Sequence, residues 1–365
     1  MERDAHTVPQ DLTDTATVLQ LRDTLKLVEG LLVQIVSALE TLCEKYKTTP
    51  MAGRSNLQQA VPMSFGFKMA RLLAQFRRHQ DRLKELKPRL LVLEFGGAVG
   101  TLATISESAS HAPAPQDSVK EGLGLQCQRL LAEELGLGMP SIAWHCERDS
   151  IAEVGTYFAL LTSTCAKFAT DLKIMMMPEI GEASEPFVHS RGSSSTMPQK
   201  RNPIGSAYIC AMASSVRSMS VGLCEASVAD FERSTGPWEI EWILLPQACA
   251  LTHAVVKQTN YLLSGLEVSP ENMARNLELT QGNVVSEAVM MGLGKTLGRS
   301  YAHDLVYDVC RQAVVEQTPL IDLLLKNEDI KRSKVPEDEL RRLCDPGQYL
   351  GWSAEMVDRV LQSKD

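Results

Sequence analysis

The sequence predicts an all-α protein built on a bundle of long helices. Two segments, 18–42 and 151–172, carry apolar residues at alternating steps of three and four. This spacing, kept over about three heptads, places one apolar stripe along a helix that packs nearly parallel to its neighbours. Hydrophobic residues make up 44% of the chain and aromatic residues only 5%, so the core must consist mostly of residues that favour helices. Strand signals are nearly absent.

The remaining elements divide the chain into a central and a C-terminal part. Segments 64–95, 205–229 and 235–265 are predicted to be helical, and Pro88 predicts a kink or break in the first of them. From Ser269 onward the pattern changes to shorter helices, and Gly298 is one of three glycines that interrupt them. We therefore predict a remnant of an N-terminal region at 1–11, a central long-helix bundle domain at 12–268 and a small helical C-terminal domain at 269–365.

Charge, cysteine usage and hydropathy exclude several classes of function. The net charge of −8 provides no electrostatic footprint for nucleic acid. No apolar run is long enough to span a bilayer, and the first residues lack the apolar core of a signal peptide, so we expect a soluble, cytoplasmic protein without a membrane partner. The nine cysteines show no CxxC pair and no His/Cys ligand spacing. We therefore expect reduced thiols, no metal site and no cofactor.

Residues 192–203, GSSSTMPQKRNP, form the most informative segment. Runs of Ser, Gly and Pro are typical of flexible linkers. However, a loop of about 25 residues between two long helices is more typical of a functional element. Backbone N–H groups and serine hydroxyls together can hold an anion. Lys200 adds a positive charge and Asn202 a side-chain amide, so the segment predicts a loop that binds an anionic substrate.

The segment resembles the signature GSSxMPxKxNP of the fumarase/aspartase superfamily, which includes the argininosuccinate and adenylosuccinate lyases. FGGAVGT (95–101) is similar to the family's glycine-rich turn, and SEAVMMGLGKTLGRSYAHD (286–304) to its C-terminal domain. WHCERD (144–149) resembles the 3-carboxy-cis,cis-muconate cycloisomerase branch. GRSNLQQAVPMSFGFKMARLLAQFRRHQ (53–80) and STGPWEIEW (234–242) resemble a fungal offshoot of that branch that decarboxylates trans-aconitate. The resemblance implies a homotetramer whose active sites are shared between subunits and act on a small polycarboxylate.

The resemblance also implies a role for the loop residues. Ser194 corresponds to the base that removes a proton beside a carboxylate, and Ser195 with the neighbouring N–H groups helps to hold the anion. Lys200 and Asn202 bind the carboxylate on which negative charge builds up.

Five more residues are candidate substrate ligands. Arg54, Ser55 and Asn56 are placed to donate hydrogen bonds to substrate carboxylates. His145 and Arg148 either contact a substrate carboxylate or make hydrogen bonds at the start of a helix, and the sequence leaves both alternatives open.

The chain departs from the family pattern at two places. Asn56 stands where many members have a histidine, and an asparagine cannot exchange a proton near pH 7. It either binds a substrate oxygen or is a buried structural amide, and its presence suits a decarboxylation, which needs no histidine base there. The family segment HxGxTSxD should end at Asp11, but Asp4, Val8 and Pro9 do not match it. We therefore expect the family's N-terminal domain to be missing, through a late-starting gene model or in a paralogue.

These observations favour a lyase that decarboxylates trans-aconitate to itaconate through an aci-carboxylate carbanion. One alternative is an isomerase, similar to the muconate cycloisomerases, in which the same carbanion closes to a lactone. Another is an enzyme similar to adenylosuccinate lyase. The remaining alternative, from a different class, is a truncated paralogue that keeps the oligomer without catalysis.

Overall fold

The computed structural model describes residues 8–105, 122–187, 196–197 and 199–363. The chain divides into two compact units. The first comprises Met1–Ile35, Phe76–Thr170 and Ile204–Tyr261, and the second comprises Val36–Gln75, Asp171–Pro203 and Leu262–Asp365. Long helices dominate the described residues, as the sequence predicted. The boundary near residue 268 stays a prediction.

The elements follow one another in a simple order. The central part contains α1 (Pro9–Lys45), β1 (Pro50–Ser55), β2 (Gln58–Ser64), α2 (Phe65–Leu90), α3 (Leu123–Leu135), α4 (Asp149–Met175), β3 (Ala183–Ser184), α5 (Ile204–Ala226), α6 (Pro237–Ser264) and β4 (Glu267–Val268). The C-terminal part contains α7 (Pro270–Glu278), α8 (Ser286–Leu297), α9 (Arg299–Glu316), α10 (Leu320–Lys326), α11 (Glu328–Arg332), α12 (Glu337–Leu343) and α13 (Ser353–Gln362), with single 3₁₀ turns at Asn283–Val285 and Pro346–Gln348.

The two predicted apolar stripes are the buried faces of α1 and α4. From Val18 to Leu42, every stripe residue of α1 is at most 8% exposed, and from Ile151 to Leu172 every stripe residue of α4 is at most 3% exposed. The length of the two stripes predicts an oligomer in which partner subunits bury them. That reason for an oligomer is wrong, because a single chain already buries both stripes. Other apolar side chains on the long helices do stay exposed, among them Leu27, Tyr208 and Val221.

Proline and glycine end helices close to where the sequence predicted. Helix α2 contains Pro88 in its last turn and ends at Leu90, two residues later. Gly298, with φ +84°, separates α8 from α9. Helix α7 begins after Ser269, whose hydroxyl accepts a hydrogen bond from the Asn272 N–H at 3.2 Å, a typical N-cap.

A β-hairpin in the second unit was not predicted. Strands β1 and β2 pair antiparallel and are joined by Asn56 and Leu57, whose φ values of 51° and 66° lie in the left-handed region. Two such residues in a row are typical of a type I′ turn. Asparagine is suited to its first position, but leucine in the second gives no turn signal. The predicted helix start at 64 is correct to one residue, and the strands lie directly before it.

The second unit also contains a two-stranded pairing and the core of the C-terminal helices. Strands β3 and β4 pair antiparallel through Ala183 with Val268 and Ser184 with Glu267. Helices α8 to α12 enclose one apolar cluster, whose buried members include Val289, Leu293, Ala302, Val309, Leu320 and Leu324. In the part of the chain described here, no helix has both the length and the apolarity that a bilayer crossing requires.

His79 is a buried titratable group of the first unit. Its ring is 4% exposed, and Nε2 lies 2.8 Å from the Thr164 hydroxyl. Burial, together with the charges of Arg82 and Arg78, lowers the pKa of His79 to about 4. The folded state therefore keeps this imidazole neutral at pH values where the unfolded chain binds a proton.

We predict that His79 makes the protein less stable in acid. Stability is lost as the pH falls from the unfolded pKa of about 6.5 towards the folded value, at about 1.4 kcal/mol per pH unit. His79→Gln keeps a polar partner for Thr164 and does not titrate. Between pH 7 and 4.5 the wild type should lose about 2.5 kcal/mol more unfolding free energy than this variant, measured with urea. Exposed His303→Gln is the control, and equal losses in the wild type and His79→Gln would contradict the prediction.

Candidate active site

The signature loop belongs to the second unit, and the structure describes its C-terminal end but not its serines. Ser194 and Ser195, the predicted base and anion-holding residue, lie outside the described residues. Lys200 is exposed, and its backbone N–H donates to the Met197 carbonyl at 3.0 Å. Asn202 is half-buried, directly before Pro203 and the start of α5. The two long helices that flank this segment lie where the sequence predicted them, since α4 ends at Met175 and α5 begins at Ile204.

Glu267 in β4 joins the two sides of this loop. One carboxylate oxygen accepts the Phe187 N–H at 2.9 Å, and the other accepts the Arg201 guanidinium at 3.0 Å. Arg201 also donates to the Glu185 carbonyl at 2.8 Å, and its guanidinium carbon lies 5.2 Å from the centre of the Phe187 ring. These contacts fix the backbone between Lys200 and Asn202, the two predicted carboxylate ligands.

The predicted ligands Arg54, Ser55 and Asn56 lie together at the end of the hairpin. Ser55 and Asn56 are exposed, and Arg54 is half-buried. Arg54 donates two parallel hydrogen bonds, at 2.8 and 2.7 Å, to the carboxylate of Glu182. Glu182 is fully buried, and Asn276 donates to it at 2.9 Å. A bidentate pair with a buried carboxylate holds the guanidinium in one orientation.

Asn56 has a structural explanation that the sequence analysis did not consider. Its side chain is exposed, so the hypothesis of a buried structural amide is wrong. Its φ of 51° begins the turn between β1 and β2, where asparagine is favoured for its tolerance of the left-handed conformation. The exposed amide can still donate to a ligand, and a substrate-binding role stays a prediction.

His145 and Arg148 belong to the first unit and are 4% and 2% exposed. Arg148 donates to both oxygens of Asp14, at 2.8 and 3.0 Å, and its Nε donates to Glu241 at 2.9 Å. The Trp238 indole N–H also reaches Asp14, at 3.2 Å. Two edges of the guanidinium group therefore donate to carboxylates of the same chain, one to Asp14 and the other to Glu241.

His145 faces two further buried carboxylates. Its Nε2 lies 2.7 Å from Asp11 and 3.3 Å from Glu94. The second oxygen of Glu94 accepts the Trp144 N–H at 2.6 Å. Because Arg148 and His145 are both engaged in this way, the described contacts support the alternative of local hydrogen bonding over contact with a substrate.

The glycine-rich turn FGGAVGT supplies backbone donors to the same cluster. Gly96 and Gly97 donate their N–H groups to Asp11 at 3.2 and 3.0 Å. A Cβ on Gly96 would lie 2.7 Å from the Cβ of Ala143, so a larger residue here would collide with Ala143 and move the turn away from Asp11. Gly97 has φ +75°, a conformation that favours glycine. The motif therefore has a structural role here, holding a carboxylate at the start of α1.

Burial and pairing shift the pKa values of the cluster in opposite directions. Burial raises the pKa of Glu94 to about 7, although the Trp144 N–H offsets part of this effect. Burial would also raise the pKa of Asp11, but the hydrogen bonds from His145, Gly97 and Gly96 outweigh it and lower that pKa. Asp11 is thus held as a carboxylate at neutral pH.

Arg148 and Glu241 show the same competition. Burial alone would lower the pKa of Arg148, but hydrogen bonds and charge from Glu241 and Asp14 raise it. Burial raises the pKa of Glu241, and Arg148 offsets part of the rise. The guanidinium and its carboxylates therefore depend on one another for their charged state.

Sequence reasoning missed Asp14, Glu94, Glu182 and Glu267. They share no sequence signal: Asp14 stands between two threonines and Glu94 between Leu93 and Phe95, and neither setting distinguishes a buried carboxylate from an exposed one. The nearest usable clue was that three of the motifs contain an arginine or histidine that needs a partner when buried.

We predict that Arg148→Met destabilises the protein strongly. The substitution leaves Asp14 and Glu241 buried without their cation, a change that typically costs about 3–5 kcal/mol. Arg341→Met is the matched control, because it removes an exposed pair with Glu337 and should cost less than about 1 kcal/mol. Urea unfolding at pH 7 measures both, and a cost for Arg148→Met no larger than the control would contradict the prediction.

Comparison with known proteins agrees with the architecture. Residues 7–218 match the family model for lyases, and residues 282–360 match that for the adenylosuccinate lyase C-terminus. The chain is 52% identical over 352 residues to trans-aconitate decarboxylase 1 from Mycosarcoma maydis, covering 96% of this chain and 68% of the relative. It is 42% identical to a 3-carboxy-cis,cis-muconate cycloisomerase from Pseudomonas aeruginosa, covering 96% and 73% of the two chains.

A solved structure shows the same fold. The crystal structure of a fumarate lyase from a Mesorhizobium species superposes with a TM-score of 0.88 at 40% identity, covering 99% of this chain and 78% of the other. The chain belongs to the fumarase/aspartase superfamily of lyases, in the branch that contains the 3-carboxy-cis,cis-muconate cycloisomerases.

Proposed function

We propose that this enzyme decarboxylates trans-aconitate to itaconate. The observation that carries the proposal is the 52% identity, over 96% of the chain, to a trans-aconitate decarboxylase. The cycloisomerases from Pseudomonas aeruginosa and Acinetobacter baylyi are 42% and 38% identical to the chain. The difference of ten percentage points or more in identity favours the decarboxylase activity. The signature loop GSSSTMPQKRNP supports the superfamily chemistry, in which a carboxylate accepts the charge of a carbanion.

The proposed reaction requires little beyond charge placement and one proton. The bond between the CH₂ group and its carboxylate breaks, CO₂ leaves, and the electron pair stays on the carbon chain. That allylic carbanion is conjugated with the carboxylate at the far end of the chain. The double bond shifts, and a proton is added to the carbon next to that carboxylate. Trianionic substrate and one proton thus give dianionic itaconate and CO₂.

The signature loop carries the proposed catalytic groups. Ser194 delivers the proton to the carbanion and regains one from water, and Ser195 with nearby N–H groups helps to hold the anion. Lys200 and Asn202 bind the far carboxylate, whose charge increases as CO₂ leaves. The contacts of Arg201 with Glu267 and Glu185 support this assignment, because they hold the backbone between Lys200 and Asn202.

The hairpin end supplies the proposed ligands for the other carboxylates. Ser55 and Asn56 present exposed donors, and Arg54 beside them is oriented by Glu182. His145 and Arg148 are proposed to act indirectly, by fixing the start of α1 and α4. An asparagine at 56 cannot serve as a proton-transferring base, which favours a reaction that removes CO₂ over one that removes a proton.

We further propose a cytoplasmic homotetramer with active sites shared between subunits and no cofactor. The resemblance to the superfamily implies this assembly. The exposed apolar side chains on the long helices, including Leu27, Tyr208 and Val221, support an assembly that covers them.

The cycloisomerase activity is the second candidate. It is favoured by the WHCERD segment and by the relative from Pseudomonas aeruginosa at 42% identity. In that reaction a carboxylate oxygen adds to a conjugated double bond of the same molecule, the resulting carbanion takes up a proton to give a lactone, and no CO₂ is produced. An adenylosuccinate lyase-like activity would instead release fumarate from a succinyl adduct. Product identity therefore separates the three activities.

We predict that the enzyme releases CO₂ from trans-aconitate and that Ser194→Ala abolishes this turnover. The loss should leave the unfolding free energy almost unchanged, because a single loop hydroxyl contributes little to the core. Product NMR should show itaconate. A lactone or fumarate as product would contradict the decarboxylase proposal. No turnover of trans-aconitate, of a carboxymuconate or of a succinyl adduct would favour the non-catalytic alternative.

Ser195→Ala is the matched control for this variant. It should keep measurable turnover, since Ser195 is proposed to hold the anion and not to move the proton. If Ser195→Ala is inactive and Ser194→Ala is active, the register of the signature through its extra serine is shifted by one residue.

We predict that Lys200→Met lowers kcat more than it raises KM. Its contact strengthens as charge moves onto the far carboxylate, so the variant should lose about 10²–10³-fold in kcat, the scale of a lost oxyanion donor. Lys331→Met, which changes an exposed lysine of α11, is the control and should keep full activity. An increase in KM alone would show that Lys200 binds substrate and transition state equally, which contradicts its proposed role.

A further inference from the structure

Three side chains of metal-ligating type converge inside the first unit. Asp11 lies in the first turn of α1, Glu94 follows α2, and His145 precedes α4. All three are at most 4% exposed, and one ligand atom from each lies within 4.8 Å of the others. Nε2 of His145 is 2.7 Å from Asp11 Oδ1 and 3.3 Å from Glu94 Oε1.

A single imidazole nitrogen cannot satisfy both carboxylates. Nε2 carries at most one hydrogen, and its geometry directs that hydrogen to Asp11. Glu94 Oε1 is fully buried and accepts no hydrogen bond from any residue in the described ranges. Burying a carboxylate oxygen without a hydrogen-bond partner costs folding free energy. A cation bound between Glu94 Oε1, Asp11 and Nε2 would remove this cost.

The charge count around the cluster leads to the same conclusion. Four carboxylates are buried in this region, and the arginine buried with them, Arg148, is already shared by Asp14 and Glu241. Arg233, which is half-buried, donates to the carbonyls of Gly97 and Ala98 and not to a carboxylate of the cluster. Asp11 and Glu94 are left with His145, which supplies at most one positive charge for two carboxylates. A divalent cation would balance both.

The outer contacts hold the carboxylates as metal sites require. Glu94 Oε2 accepts the Trp144 N–H at 2.6 Å, and Asp11 Oδ2 accepts the Gly97 N–H at 3.0 Å. Such contacts orient carboxylates. Glu94 Oε1 is left available to an ion, whereas Asp11 Oδ1 also accepts the Gly96 N–H at 3.2 Å and would use its second lone pair. A cavity of about 350 Å³ in the same unit is lined by Asp11, Glu94 and Thr15 and otherwise by apolar side chains, so there is space for water beside two of the three ligands.

We propose that Asp11, Glu94 and His145 bind one divalent transition-metal ion, Zn²⁺ or Mn²⁺, with water completing the coordination. Nε2 releases its proton to solvent as the ion binds, so the hydrogen bond to Asp11 is replaced by two metal–ligand bonds. Ligand atoms about 2.1 Å from a tetrahedral ion lie roughly 3.4 Å apart, so Glu94 and His145 already have the required spacing, whereas Asp11 must move by about 0.7 Å. The ion would tie the start of α1 to the segments that follow α2 and precede α4.

The test uses the whole chain after dialysis against EDTA. Mn²⁺ is the first probe, because oxygen and imidazole ligands suit it and the nine thiols compete for it poorly. Calorimetric titration should show one Mn²⁺ per chain with release of protons, the melting temperature should rise with Mn²⁺, and Zn²⁺ should displace the bound Mn²⁺. Electron spin-echo spectroscopy of the Mn²⁺ complex should detect one imidazole nitrogen.

Two variants test the assigned ligands. Glu94→Gln and His145→Gln keep a polar side chain of similar size and should each lower the Mn²⁺ affinity about 100-fold or more. His79→Gln, which changes another buried histidine of the first unit, is the control and should bind like the wild type. If circular dichroism shows that a variant does not fold, the stoichiometry and the nitrogen coupling of the wild type decide.

The proposal is overturned by three results. The first is no saturable binding of Mn²⁺ or Zn²⁺ to the wild type up to millimolar concentration, in which case a proton on Glu94 replaces the ion. The second is bound Mn²⁺ without imidazole coupling. The third is equal affinity in the wild type and in folded Glu94→Gln and His145→Gln.

Discussion

The pairing of Arg148 with Asp14 and Glu241 is the interaction on which the first unit depends. Charged groups are almost never buried without partners, because removing them from water costs several kcal/mol each. Here one guanidinium allows two carboxylates to lie inside the unit, and these carboxylates come from α1 and α6. The helices α1 and α6 and the start of α4 are therefore held together by directional, charged hydrogen bonds as well as by apolar contact.

The neighbouring cluster follows from the same constraint. Asp11 can be buried as a carboxylate because the Gly96–Gly97 turn provides two N–H donors and His145 a third contact. The turn reaches Asp11 only because Gly96 has no side chain to collide with Ala143. Glu94 receives a backbone donor on one oxygen and none on the other, and this imbalance is the basis for the proposed cation site.

In the second unit, a buried carboxylate, Glu182, and an exposed one, Glu267, hold the segments that carry the proposed substrate ligands. Glu182 orients Arg54 at the hairpin, and Glu267 joins Phe187 to Arg201 at the loop. In both cases a carboxylate of the chain neutralises an arginine next to the exposed donors Asn56 or Lys200. The arginines thereby become part of the framework, while their neighbours in the sequence stay available to a ligand.

The sequence by itself determined the long helices, the loop between α4 and α5 and the superfamily. These depend on local properties: the 3.6-residue period of a helix, the chemistry of adjacent residues, and a signature contained in twelve positions. The hairpin could not be predicted in the same way, because only Asn56 signals its turn. Its strands are held through Arg54 and Gln59 by Glu182 and Asn276, which lie far away in the chain. The partners of His145 and Arg148 likewise were decided only by the tertiary structure. Electrostatic energy depends on the distance between charges in space, and Asp11, Glu94, His145 and Glu241 come within that range only when the helices have packed.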